Sequence, residues 1–177
     1  SDEFVDKITE DTKIGTLKLC AEELIMGYYN SNGNNNITSA VKIDKDMCEN
    51  IVLKSVDYDV VLEEYKVQDG NVVFSNIPIG TYDIRIQLAG FSLYSGTMKL
   101  KESELEENIW NKTITLQSDN DYKEFQVIIT DSEGEILKEK KCDFSVLNTD
   151  YIVKDLVSDE EGKLPYTFIL PSNLEFQ

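Results

Sequence analysis

Apolar residues recur at every second position through most of the chain, which is the period of a strand with one buried face. The clearest run is 69–91. Asp69-Gly70 is a turn signal, and Val72 and Phe74 alternate with Val73 and Ser75. Tyr82, Ile84, Ile86 and Leu88 alternate with Asp83, Arg85 and Gln87, and Gly90-Phe91 closes the run. Between these stretches Pro78 fixes φ and Gly80 admits positive φ. The pattern predicts two strands around a compact reversal.

Other strands are predicted from Lys13 onward, where Leu17 and Leu19 alternate with Thr16, Lys18 and Cys20, and over 37–43, 92–100 and 111–117. Residues 51–67 read as two strands with a break near Asp57–Asp59. A helix over CAEELIMGYY competes with the first strand, because Ala21, Glu22, Glu23 and Leu24 favour helices; Gly27, Tyr28 and Tyr29 weigh for the strand. Residues 30–36, NSNGNNN, predict a polar hairpin tip. The acidic stretch ESELEENIW predicts one helical turn capped by Ser103. Residues 1–12 are polar and charged and read as a leader or linker, with Phe4, Val5 and Ile8 free to touch the body.

A polar linker is expected at 118–123, separating domain 1 (13–117) from domain 2 (124–177). Strands resume beyond it, and Val67-x-Asp69-Gly70-x-Val72-x-Phe74 is echoed by Val157-x-Asp159-x-x-Gly162-x-Leu164-x-Tyr166, so Gly70 and Gly162 are expected to mark equivalent turns. Fewer strands fit after Pro171 than after Pro78, and the second domain is expected to be short or truncated. The expected fold class is all-β: tandem immunoglobulin-like or prealbumin-like β-sandwich domains.

Composition narrows the chemistry. At 177 residues with 41% hydrophobic residues, the chain has enough apolar material for a true core. The net charge of −17 repels nucleic acid and anionic membranes, so neither is an expected partner. His is absent, which removes Ser-His-Asp and Cys-His sites and the usual transition-metal ligand. Cys20, Cys48 and Cys142 are too scattered for a metal knuckle; one bridge, Cys20 to Cys48, is open to the chain in an oxidising compartment. No apolar run is long enough to span a bilayer. The chain starts with Ser and is expected to be cut from something longer, so the lack of a signal peptide leaves export open.

The pattern D-G-x-φ-x-F-x-x-φ-P-x-G-x-Y over Asp69–Tyr82, where φ is a hydrophobic residue, followed by Gly90-Phe91, resembles the B-type repeat of Gram-positive collagen-binding surface proteins and the related pilin and SpaA-like domains. The resemblance covers 13–117 fully and 124–177 in part. It implies a prealbumin-like sandwich, an extracellular, cell-surface or cell-wall location, and partnership with neighbouring domains of the same protein or with a host or matrix protein. It also implies an isopeptide cross-link between a Lys on the first strand and an Asn or Asp on the last, helped by a buried Glu or Asp. Candidates are Lys13 or Lys18 with Asn108 or Asn111, and Glu63 or Glu64 as the acid. The helper usually stands four residues past the motif Tyr, where this chain has Ile86, so the resemblance weakens there.

Further candidates come from the residues themselves. Asp119 and Asp121, oxygen ligands two apart in the linker, suit a hard cation such as Ca²⁺, whereas Asp57, Asp59, Glu63 and Glu64 read as a solvated strand face. Tyr28, Tyr29, Tyr58, Tyr65, Phe91, Tyr94 and Trp110 are candidates for a glycan platform, most of them better suited to a core; Trp110, beside the acidic turn, is the candidate ligand-binding residue. Asn36-Ile-Thr38 and Asn111-Lys-Thr113 match the N-glycosylation sequon, which has no meaning in the bacterial source that the resemblance implies. The expected function is a non-catalytic stalk or spacer of a bacterial adhesin or pilus protein. The alternatives are a ligand-binding adhesin or pilin domain, and an accessory module of a secreted hydrolase.

Overall fold

The computed structural model describes residues 2–119, 122–146 and 151–172. These residues form thirteen strands and three short 3₁₀ turns, with no α-helix. The all-β class is therefore observed, and 20–29 is strand, not helix. Strand β1 runs from Ile14 to Asn30. The others are β2 (Gly33–Val41), β3 (Cys48–Ser55), β4 (Val60–Leu62), β5 (Lys66–Gln68), β6 (Asn71–Pro78), β7 (Gly80–Leu88), β8 (Tyr94–Leu100), β9 (Ile109–Leu116), β10 (Tyr122–Ile128), β11 (Lys141–Ser145), β12 (Ile152–Val157) and β13 (Lys163–Pro171).

The chain divides into two units: Ser1–Glu23 with Ser39–Asp119, and Leu24–Thr38 with Asn120–Gln177 as far as the latter is described. This differs from the expected contiguous 13–117 and 124–177, because Leu24–Thr38 packs with the C-terminal residues. Ile14–Glu23 of β1 serves the first unit, and the rest of that strand serves the second. The expected linker also contracts. Asp119 N–H donates to Gly90 O at 3.0 Å, Ser118 bridges Phe91, and Tyr122 already opens β10.

The first unit is a two-sheet sandwich. One sheet is β5-β6-β1-β9, with β1 antiparallel to β6 and parallel to β9; the other is β4-β3-β7-β8. Alternation decides which side chains face inward. Leu17, Leu19 and Ala21 of β1, Val72 and Phe74 of β6, and Trp110, Ile114 and Leu116 of β9 meet Ile51, Leu53, Tyr82, Ile84, Ile86 and Leu88 from the facing sheet.

The motif stretch corrects its own prediction. Asp69 and Gly70 both take positive φ, 53° and 81°, and make the tight hairpin between β5 and β6. Pro78–Gly80, however, does not fold β6 back on β7. It carries the chain from one sheet to the other, since β6 pairs β1 and β5 whereas β7 pairs β3 and β8. Proline has no N–H for a ladder, and Gly80 at φ 147° permits the corner. The buried Tyr82 hydroxyl then donates to Pro78 O at 2.6 Å and ties the corner.

Three other local expectations take definite form. Within the polar leader Phe4 does lay a turn against the body: it sits in a 3₁₀ segment, is 1% exposed, and meets Tyr58 edge-on at 5.9 Å. The Asn-rich tip is shorter than 30–36, because β2 already begins at Gly33. Ser103 lies inside the turn Glu102–Glu104, whose cap position is Lys101 with no side-chain bond.

The second unit pairs Gly27–Tyr29 of β1 antiparallel with β13, which also pairs β10; β11 and β12 form a hairpin. Met26, Val146, Tyr151, Val153, Leu156, Leu164, Phe168 and Leu170 form its core. A unit that looked short therefore takes a strand from far upstream. Two turns of the unit match each other. Asp131 Oδ1 accepts from the N–H groups of Glu133 and Glu135 (both 2.9 Å), and Asp159 Oδ1 accepts from those of Glu161 and Lys163 (2.8 and 2.9 Å). Gly134 and Gly162 sit at φ 84° and 79°. The counterpart of Gly162 is thus Gly134, and Gly70 belongs to a different kind of turn.

Candidate functional site

The parallel pairing of β1 with β9 sets Lys18 directly beside Asn111, so two of the cross-link candidates are neighbours across the ladder. Both lie on the outward face, where Asn111 is exposed. The inward pair one residue earlier is Leu17 and Trp110, both 0% exposed. The chemistry of such a bond needs an acid kept neutral by an apolar shell. Glu63 and Glu64 are exposed instead, at the rim of an outer cleft with Tyr65, Lys66 and Lys45. Lys13 is also outward and lies 3.8 Å from Glu102, and Asn108 is an exposed turn residue at φ 64°. The register aligns a pair, but the surroundings that would activate it are absent around these residues.

Trp110 is the clearest correction. The candidate ligand-binding residue is 0% exposed, and its indole N–H donates to Lys101 O at 2.7 Å. The ring is packed over Gly15, and no face remains for a ligand. The acidic turn beside it in sequence made it look peripheral, but alternation along β9 turns it inward.

The acidic candidates disperse. Asp57 Oδ2 accepts from Thr81 N–H at 2.8 Å, a bond that secures the β3–β4 turn. Asp59 pairs with Lys54 at 3.4 Å. Asp119 is exposed, and Asp121 lies outside the described residues. Among the described residues no three His, Cys, Asp or Glu side chains come together to hold a metal ion. The linker Ca²⁺ expectation therefore gains no further ligand here.

All three cysteines are free thiols, and Cys20 on β1 and Cys48 on β3 lie in different sheets. Burial pushes the thiol pKa of Cys48 and Cys142 upward, which disfavours the thiolate. Neither is poised as a nucleophile.

In the second unit the structure assembles what sequence order separates. Tyr28 on β1 and Tyr166 on β13 bring their rings to 4.6 Å between centroids, beside the asparagines of the β1–β2 tip. Tyr28 is one of many aromatic candidates in the sequence. Nothing local marks Tyr166, because its partner lies far upstream and only the β1–β13 pairing brings the two together.

No protein-family model matches the sequence, and no curated protein matches it. Among solved structures the chain is similar to a streptococcal ancillary pilin, with 15% identity and a TM-score of 0.32, over 92% of this chain and 52% of that one. It is also similar to the Bacillus anthracis TIE protein, with 17% identity and a TM-score of 0.25, over 93% of this chain and 30% of that one. The chain spans about half the length of the first and under a third of the second.

Proposed function

We propose that this chain is a non-catalytic spacer segment of a bacterial cell-surface adhesin or pilus protein. The observation that carries the reading is how the motif residues are used. Pro78, Gly80 and Tyr82, which support the resemblance to surface-protein B-type repeats, make the corner between two sheets and hold it with one buried hydrogen bond. Pro78 and Tyr82 are buried, and Gly80 meets only an open groove beside Asp57, whose carboxylate is held by Thr81 N–H. A sandwich built from pairing of strands distant in sequence suits a segment that separates other domains, and the net charge of −17 suits exposure on a crowded envelope.

Two measurements on the source organism test this. Antibody raised against the chain should label intact cells, and deleting the segment from its parent protein should leave the parent displayed but with shorter reach. Labelling that appears only after lysis, or a catalytic activity lost with the segment, would overturn it.

A further inference from the structure

We infer that the face of the second unit where Tyr28 and Tyr166 meet Asn30, Asn32, Asn34 and Asn35 is a binding site for a neutral carbohydrate. The inference does not rest on the spacer reading, since a spacer needs no ligand.

The lining chemistry comes first. These residues line an open groove of about 310 Å³ whose walls are tyrosine, asparagine and glycine, with no ionisable carboxylate or ammonium among the described lining residues. In a chain with 34 acidic and 17 basic residues, an uncharged patch of this composition stands out. It offers no formal counter-charge to an ion. Each asparagine amide presents two donors and an acceptor, which matches hydroxyls that both donate and accept. The tyrosine rings add apolar faces for the C–H side of a sugar ring. An apolar ligand would strip water from these amides without replacing its hydrogen bonds, at a cost for each one desolvated. The volume lies at the lower end of the ~300–1,000 Å³ usual for ligand pockets and suits a small terminal unit.

The site is also held in shape before any ligand arrives. Tyr28 stands opposite Phe168 in the β1–β13 ladder, and Tyr166 lies two residues from Phe168, so all three share one face. Phe168 is fully buried and stacks on Phe144 at 4.3 Å, and both tyrosines lean on it, with centroids at 6.2 and 6.5 Å. The half-buried rings therefore root in the core. Asn35 Nδ2 donates to Tyr28 Oη at 2.9 Å, and Asn32 N–H donates to Asn30 Oδ1 at 2.9 Å. Gly27 lets the strands close up, since a Cβ there would stand 2.5 Å from Asn36 Oδ1 and 3.1 Å from Asn35 O. Rings with few rotatable bonds beside adaptable amides lose little entropy on binding.

The test is an NMR titration of the whole ¹⁵N-labelled chain with lactose, maltotriose, cellotriose, triacetylchitotriose and mannotriose, each at millimolar concentration, with 3′-sialyllactose as the charged counterpart of lactose. At least one neutral sugar should move the side-chain amide signals of Asn30, Asn32, Asn34 and Asn35. Tyr166→Ala and Asn34→Asp should each weaken that binding about tenfold, the first by loss of a ring face and the second by replacing the amide's two donors with a carboxylate that only accepts. Asn34 is exposed and Asp is its near-isostere, so that variant keeps the test sharp if Tyr166→Ala does not fold. Silence across all five neutral sugars, shifts confined to other residues, unchanged affinity in Asn34→Asp, or stronger binding of 3′-sialyllactose than of lactose would each overturn the inference.

Discussion

Trp110 and Gly15 allow the core of the first unit to be tested against the surface role that the sequence suggested for Trp110. Gly15 is buried on β1 in a conformation open to any residue. A Cβ added there would stand 2.8 Å from Trp110 Cζ3 and 2.6 Å from Leu105 Cδ2. Without those neighbours Gly15→Ala would stabilise by about 0.4–1 kcal/mol through the unfolded chain. With them, overpacking of about 1–3 kcal/mol wins, and the variant should lose about 1–2 kcal/mol. Trp110→Phe removes the outer ring that the added methyl would strike. It also removes the indole N–H that serves Lys101 O, at a cost of about 2–3 kcal/mol. In the double variant the new methyl enters the space the ring has left. The combined loss should fall short of the sum by about 1 kcal/mol, and Leu105, half-buried, still has to turn aside. Urea unfolding followed by far-UV circular dichroism measures all four proteins. Fluorescence of the single tryptophan adds a signal from the first unit alone in the wild type and in Gly15→Ala. Losses that add to within about 0.3–0.5 kcal/mol would refute the contact, and Gly15→Ala as stable as the wild type would refute the packing of Trp110 itself.

The two Asp-anchored turns of the second unit supply an internal comparison: Gly134→Ala and Gly162→Ala both force alanine to φ near 80°, at about 1–2 kcal/mol. A Cβ at Gly162 also meets Ile136 Cγ2 at 2.6 Å and Ile129 O at 3.0 Å, while Gly134 faces open space, so Gly162→Ala should lower the urea midpoint clearly further. Burial pushes the Tyr151 phenol pKa up to about 12 from an ordinary value of 10.0. The folded state thus favours the neutral phenol: its contribution is complete below pH 10 and is lost as pH rises from 10 towards 12, and Tyr151→Phe should flatten the fall in melting temperature across that window. Because Lys18 and Asn111 meet on the solvent face and Ile86 stands where an acid would be, the intact mass of the purified chain should equal that of its sequence. A protein lighter by one ammonia, with a Lys18–Asn111 peptide in the digest, would show that the bond forms without the apolar shell.

The alternation of apolar residues made the strands legible because burial on one face is a local property, repeated every second residue. Leu17, Phe74, Ile84 and Trp110 all face the core as their parity requires. What the pattern could not carry is which sheet a strand joins. Val72–Phe74 and Tyr82–Leu88 look like two arms of a hairpin, since Pro78 and Gly80 permit a reversal. A reversal and a corner ask the same of those residues, and only the pairing of β6 with β1 and of β7 with β3 separates them. The same limit hid the second unit's upstream strand. Residues 24–30 continue the same strand without a break, and nothing local records that Gly27–Tyr29 pairs with Thr167–Ile169 while Leu17–Leu19 pairs with Val72–Phe74. The candidate sites erred for a related reason. In sequence Trp110 stands beside acidic residues, but on a strand the neighbours that matter lie across the ladder: Leu17 for Trp110, Asn111 for Lys18, Phe168 for Tyr28. Tyr28 and Tyr166 become a pair only through β1–β13 pairing, so a site made there depends on the same distant contact that builds the unit. Breaking that contact with Tyr29→Pro, opposite Thr167, should then remove the second unit's cooperative unfolding and any sugar response together, whereas an isolated loop site would keep its response after the ladder is lost.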